Sequence, residues 1–218
     1  METAQFIIEF IGTLAFAISG IRLAASKQFD WFGGYVVGLT TAIGGGTLRD
    51  VMLGTTPFWM TDPIYVICSG AALALTIIFK SRLVGLNHTW FIFDTLGLGL
   101  FTVAGLQKGL YFGHPYWVAI ILGCITGVAG GILRDVLINE VPLIFRKELY
   151  ALACAAGGVL YFLLPFVGIE SIYIRNIACI AIIFIIRALA IKYHLGVPVL
   201  TGHGTAFHHG HKKHGPGK

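Results

Sequence analysis

The chain has 218 residues, 56% of them hydrophobic and 11% charged, with a mean hydropathy of +0.83. Soluble domains carry about 25% charged residues, so this composition excludes a soluble globular protein and marks a polytopic membrane protein the size of one membrane domain. The net charge of +5 comes without a basic stripe interleaved with aromatics, and the chain has no Rossmann or P-loop glycine pattern, no nucleophile elbow and no CxxC pair; nucleic-acid binding and enzyme chemistry have no residues to carry them, and neither a cofactor nor a metal site is expected.

A membrane-crossing helix needs about 20 mostly apolar residues. Seven segments qualify, at about 5–24, 32–54, 63–80, 89–108, 115–138, 148–167 and 171–192. All are too long and continuous for barrel strands, which alternate over about 9–11 residues. The expected fold is an all-α integral membrane protein with seven transmembrane helices spanning residues 1–192. The first segment lacks the positive flank of a signal peptide and carries Glu2 and Glu9, so it is expected to be retained. In the connections, Arg22, Lys27, Lys80, Arg82, Arg146, Lys147 and Lys192 fall on one side; Lys108 and Arg175 stand nearly alone on the other. Positive residues favour the cytoplasmic side, which predicts an inner (plasma) membrane protein with its N-terminus outside and its C-terminus inside. The sequon Asn87-His88-Thr89 then faces inward and reads as a chance match. Cys68, Cys124, Cys154 and Cys179 lie within apolar runs and read as buried thiols. Residues 193–218 form a polar tail with His203, His208, His209, His211 and His214, expected to be a disordered extension; such a tract is only a weak, compositional metal signal.

The chain repeats itself. An offset of 85 residues, without a gap, places Gly38 on Gly123, Thr41 on Thr126, and Gly45, Gly46, Leu48, Arg49, Asp50 and Val51 on Gly130, Gly131, Leu133, Arg134, Asp135 and Val136. Pro57 meets Pro142, Tyr65 meets Tyr150, and Glu9 meets Asp94. Repeat one covers about 5–80 and repeat two about 89–167, with the seventh segment outside both. Three spans per repeat turn the second copy over, so the halves are expected to be related by an axis in the membrane plane, as in many transport proteins.

Each glycine costs a helix about 1 kcal/mol relative to alanine. The run Gly44, Gly45, Gly46, and Gly130 with Gly131 in the second copy, therefore predict a bend or a partly unwound turn; close helix packing on small residues is the alternative. Arg49, Asp50, Arg134 and Asp135 cost about 2.5–3.5 kcal/mol each if they face lipid, so they should face the bundle interior with Glu9 and Asp94. The prediction is two acid–arginine clusters, Glu9 with Arg49 and Asp94 with Arg134, one on each side of the midplane. Four acids against two arginines leave a formal charge of −2, which suits a cation path. The arginines then act as latches on it, or else as purely structural ion pairs. Thr13, Ser19, Thr40, Thr41 and Thr126 are candidate pore-lining residues. Lys108, Arg175 and Arg187 are expected to snorkel from helix ends, and Pro57 and Pro142 to end or turn the chain after the motif.

Seven spans arranged as three, three and one, with "GGGTLRD" and "AGGILRD", resemble the prokaryotic branch of the trimeric intracellular cation (TRIC) channel family over about residues 5–192. The resemblance implies a homotrimer in the lipid bilayer with one pore in each protomer. It implies permeant potassium or sodium ions, and kinks in the second and fifth spans at Gly44, Gly45 and Gly46 and at Gly130 and Gly131. Ala129 departs from a full second triplet. The lysine–glutamate–valine signature of animal members is absent, so their lipid or calcium regulation does not transfer. The same bacterial domain is also labelled a glycine transporter, which gives an alternating-access amino-acid carrier as the second reading.

Overall fold

The computed structural model describes residues 2–79, 89–146 and 148–197. Lys80, Arg82, Asn87, His88, Lys147 and the histidines beyond residue 197 lie outside the described residues. Eight α-helices account for most of them: α1 (Glu2–Ser26), α2 (Trp31–Met52), α3 (Phe58–Thr61), α4 (Ile64–Ile78), α5 (Thr89–Tyr111), α6 (Tyr116–Leu137), α7 (Ala151–Leu163) and α8 (Ile172–Lys192). Short 3-10 turns follow at Leu143–Phe145 and Leu164–Val167. Seven of these helices coincide with the segments expected from the sequence. Four, over Thr3–Ser26, Trp90–Tyr111, Tyr116–Leu137 and Ile172–Lys192, are long and apolar enough to cross a membrane by length and composition. α2 has 22 residues, but they include six glycines, Arg49 and Asp50.

Helices α1, α2, α5 and α6 form the centre of the bundle. α4 packs on α1 and α2, α7 on α6 and α8, and α8 on α5. Glycine permits the closest approaches. A Cβ on Gly20 would meet Thr41 and the backbone of Gly38, and one on Gly105 would meet Thr126 and the backbone of Gly123. These are the same contact 85 residues apart. Between the two sets, Phe16 and Phe101, both 1% exposed, stack with ring centroids 5.4 Å apart.

The helix ends repeat as well. After α2, Gly54 takes φ +67°, and Thr55 N–H donates to Asp50 O at 2.9 Å; after α6, Asn139 takes φ +56°, and Glu140 N–H donates to Asp135 O at 2.8 Å. Both are left-handed caps that satisfy the last carbonyls of a helix. They end the helices before Pro57 and Pro142, which instead start α3 and the turn at Leu143–Phe145.

Two expectations change. The partly unwound turn is not present: α2 is helical throughout Gly44–Gly46, and α6 throughout Gly130 and Gly131. Their absent side chains make room for neighbours, with Gly44 under Leu133, Gly45 against the backbone carbonyl of Thr126, and Gly46 against the Phe58 ring. Gly130 in turn faces the carbonyl of Thr41, and Gly131 the Tyr150 hydroxyl. Close packing on small residues, the alternative reading, accounts for these glycines. Arg22, expected in a connection, lies inside α1 and is 6% exposed, because that helix runs on to Ser26.

Candidate functional site

The repeated motif sits where each central helix ends. Arg49 lies in the last turn of α2 and Arg134 in the last turn of α6, where the free carbonyls favour a cation. Both are fully buried. Arg49 Nε donates to Asp50 Oδ1 at 2.7 Å and its Nη1 to Glu9 Oε1 at 3.1 Å. Arg134 Nε donates to Asp135 Oδ1 at 2.9 Å, and its Nη1 to Asp94. Each guanidinium therefore bridges its neighbouring aspartate and an acid 40 residues earlier, the forked geometry for which arginine is suited.

The aspartates hold the returning chain with their second oxygen. Phe58 N–H donates to Asp50 Oδ2 at 2.8 Å, and Leu143 N–H donates to Asp135 Oδ2 at 3.0 Å. The tyrosines of the repeat close the pattern: Tyr65 donates to Glu9 at 3.3 Å and Tyr150 to Asp94 at 3.5 Å.

Sequence reasoning missed two members. Lys108 was expected to snorkel, yet its ammonium is 2.8 Å from Asp50 Oδ1, with the side chain 17% exposed. Arg187 was given the same reading, yet it is 1% exposed, donates to Asp94 Oδ2 at 3.3 Å and to Glu148 at 3.0 Å, and stacks over Tyr150 and Phe91. The formal sum of −2 is corrected accordingly: Glu9, Asp50, Arg49 and Lys108 sum to zero, as do the fully or nearly buried Asp94, Asp135, Arg134 and Arg187, with the partly exposed Glu148 as a further acid on Arg187. The signal was the uncancelled −2 itself, since buried charges without partners are too costly to persist. Arg175 sits at the start of α8, bonded through Nε to Tyr161 O at 3.0 Å.

The two clusters lie at opposite ends of shared helices. α5 carries Asp94 in one and Lys108 in the other, fourteen residues later, or about 21 Å of helix at 1.5 Å per residue. Of the candidate lining residues, Ser19 joins the Arg134 cluster, accepting from Nη1 at 3.0 Å and donating to Trp90 O at 3.4 Å. Thr41 and Thr126 are buried and donate to carbonyls of their own helices, Val37 O and Leu122 O, at 2.6 Å each. Thr13 is buried in α1, and Thr40 is half-buried in α2.

A cavity of about 230 Å³ leads from the surface toward the second cluster. Arg134 and Asp135 are among its lining residues, together with Leu23, Ser26, Lys27, Trp90, Ile138, Glu140, Leu143 and Arg146.

The family model described as "Glycine transporter" matches the chain twice, at residues 6–81 and 91–166, again 85 residues apart. A UPF0126 membrane protein of Vibrio cholerae is 40% identical over 200 residues, covering 88% of this chain and 81% of its own length. The UPF0126 inner membrane protein YadS of Escherichia coli is 36% identical over 194 residues, covering 88% and 93%. Among solved structures, the TRIC trimeric intracellular cation channel orthologue from Rhodobacter sphaeroides superposes with a TM-score of 0.82 at 32% identity, over 88% of this chain and all of that one. Taken with eight helices and a doubled buried ion cluster, these likenesses make the chain a multi-pass membrane protein of the bacterial TRIC channel family, a family of channels and transporters rather than enzymes.

Proposed function

We propose that the chain is a monovalent-cation channel, permeable to potassium and sodium, that works as a homotrimer with a hydrophilic path through each protomer. The observation that carries this reading is the arginine–acid cluster built twice, at opposite ends of the same helices. Eight interior charges that cancel in fours are expensive to keep in a membrane protein, and they are useful where water and ions must pass. The path is lined mainly by α2 and α6, and each cluster closes one end of it. The paired arginines hold that closed state; displacing them lets ions through. Residues 1–192 form the channel unit, with repeat two turned over relative to repeat one, and residues 193–218 are a polar, histidine-rich tail outside it. The N-terminus lies outside in the bacterial inner membrane, so that the Glu9–Arg49 cluster faces outward and the Asp94–Arg134 cluster inward. Lys27 and Glu140–Arg146 meeting on one face supports this placement, because the positive-inside count puts them on the same side.

Purified protein in a planar bilayer under a potassium chloride gradient should give unitary currents reversing near the potassium equilibrium potential. Saturable glycine uptake without such currents would overturn the reading. The family model's name favours that second reading, an alternating-access glycine carrier, and a bundle closed at both ends around the Phe16–Phe101 stack also suits an occluded carrier.

Lys108 gives a sharper test, as the partly exposed cation of its cluster. Lys108→Ala leaves Asp50 held by Arg49 and by Phe58 N–H while adding one negative charge to that end. Potassium conductance should rise by about twofold or more through the increased local cation concentration, and the reversal potential should move toward the potassium value. An unchanged conductance would remove Lys108 from the path.

A further inference from the structure

The mouth of the 230 Å³ cavity is bridged by three exposed charges. Lys27, just past α1, lies 2.5 Å from Glu140 Oε1, and Arg146 Nη2 lies 3.0 Å from Glu140 Oε2. Arg146 Nε also donates to Val141 O at 2.8 Å, which fixes the guanidinium on the rim. Lys27 belongs to the first half of the chain, and Glu140 and Arg146 belong to the second. One carboxylate therefore spans the opening between the halves. Below it lie Arg134 and Asp135, whose cluster is otherwise sealed. The bonds from Lys27 and then Arg146 hold the Glu140 carboxyl below its ordinary range, so it is ionised at neutral pH.

The repeat does not impose this bridge. The positions 85 residues from Glu140, Arg146 and Lys27 are Thr55, Thr61 and Phe112. Thr55 and Thr61 donate to nearby backbone carbonyls, Asp50 O and Phe58 O, and link no halves. The bridge is an addition at one end of an otherwise doubled structure, placed where that end meets solvent.

We propose that Glu140 is the access-determining residue of the Arg134 end: bound to Lys27 and Arg146 it closes the mouth over the cluster, and its release admits hydrated ions. This rests on the reading that the clusters border an ion path, which it deepens by assigning one end a separate, solvent-exposed closure. Exposed ion pairs are individually weak and lose strength as salt rises, so such a closure opens readily while the buried arginines stay in place.

The test uses Ile138→Cys, a buried position lining the cavity, labelled with an uncharged maleimide in the full-length reconstituted protein. The parent with its four native cysteines supplies the background rate. Adding Glu140→Gln should speed labelling of Cys at 138 about fivefold or more, the scale of two exposed ion pairs. Lys27→Gln should give a smaller rise. Raising salt from 0.01 to 1 M should speed labelling with Glu140 present and leave the Glu140→Gln rate flat. Equal rates with and without Glu140, no labelling under any condition, or a salt effect that survives Glu140→Gln would each overturn the proposal. Because labelling needs no current, faster labelling in a protein that never conducts would keep the closure and discard the channel.

Discussion

Arg134→Ala is expected to lower stability by about 3–5 kcal/mol, the cost of removing one partner from a buried charge pair. The loss is not one bond. Nε and Nη1 serve Asp135, Asp94 and Ser19 together. Without them Asp135 keeps the Leu143 N–H, and Asp94 keeps Arg187 and Tyr150. Asp135 is then left buried without a cation, while Arg187 stays shared between Asp94 and Glu148. Arg134→Lys should recover little, since a single ammonium cannot reproduce the fork. Thermal unfolding in detergent, followed by the loss of the folded-protein peak on size exclusion, measures the effect. Arg146→Ala breaks an exposed pair and should fall within about 1 kcal/mol of the parent. If Arg134→Ala unfolds at the parent temperature, the buried cluster is not what holds the ends of α5 and α6 together.

Gly45→Ala should also destabilise, for a steric reason. A Cβ there would sit well inside contact distance of the Thr126 carbonyl, and backbone cannot rotate away as a side chain can. α2 and α6 must separate, at an overpacking cost of about 1–3 kcal/mol. Gly130→Ala makes the reciprocal clash with the Thr41 carbonyl. The two substitutions press on one crossing, so the double variant should lose less than the two single losses combined. Gly34→Ala on the same helix meets nothing within 4 Å and should be neutral or mildly stabilising. A Gly45→Ala protein as stable as Gly34→Ala would show that the crossing opens freely.

Much of this was legible in one dimension. The apolar runs located every long helix, because in lipid a backbone must satisfy its own hydrogen bonds and the helix is the local way to do so. The 85-residue register paired Glu9 with Arg49 and Asp94 with Arg134, because a duplicated contact leaves the same residue types at the same spacing. What the register could not reveal were contacts made once. Lys108 corresponds to Leu23, and Ser19 to Ala104, so neither was marked by the repeat. The glycines left bending and close packing both open, because a sequence shows the missing side chain but not what takes its place. Leu133, Phe58 and two backbone carbonyls occupy that space, each arriving from a distant part of the chain.

The single-copy cations set an order of events during synthesis. When α1 and α2 are complete, Glu9, Asp50 and Arg49 carry one negative charge too many, and Lys108 has yet to be translated. When α5 and α6 follow, Asp94, Asp135 and Arg134 stand in the same position, and their last cation waits in α8. A nascent chain therefore holds an unbalanced acid at each stage, and the balance closes only with α8. The element that lies outside the duplication is the one on which completion of the fold depends.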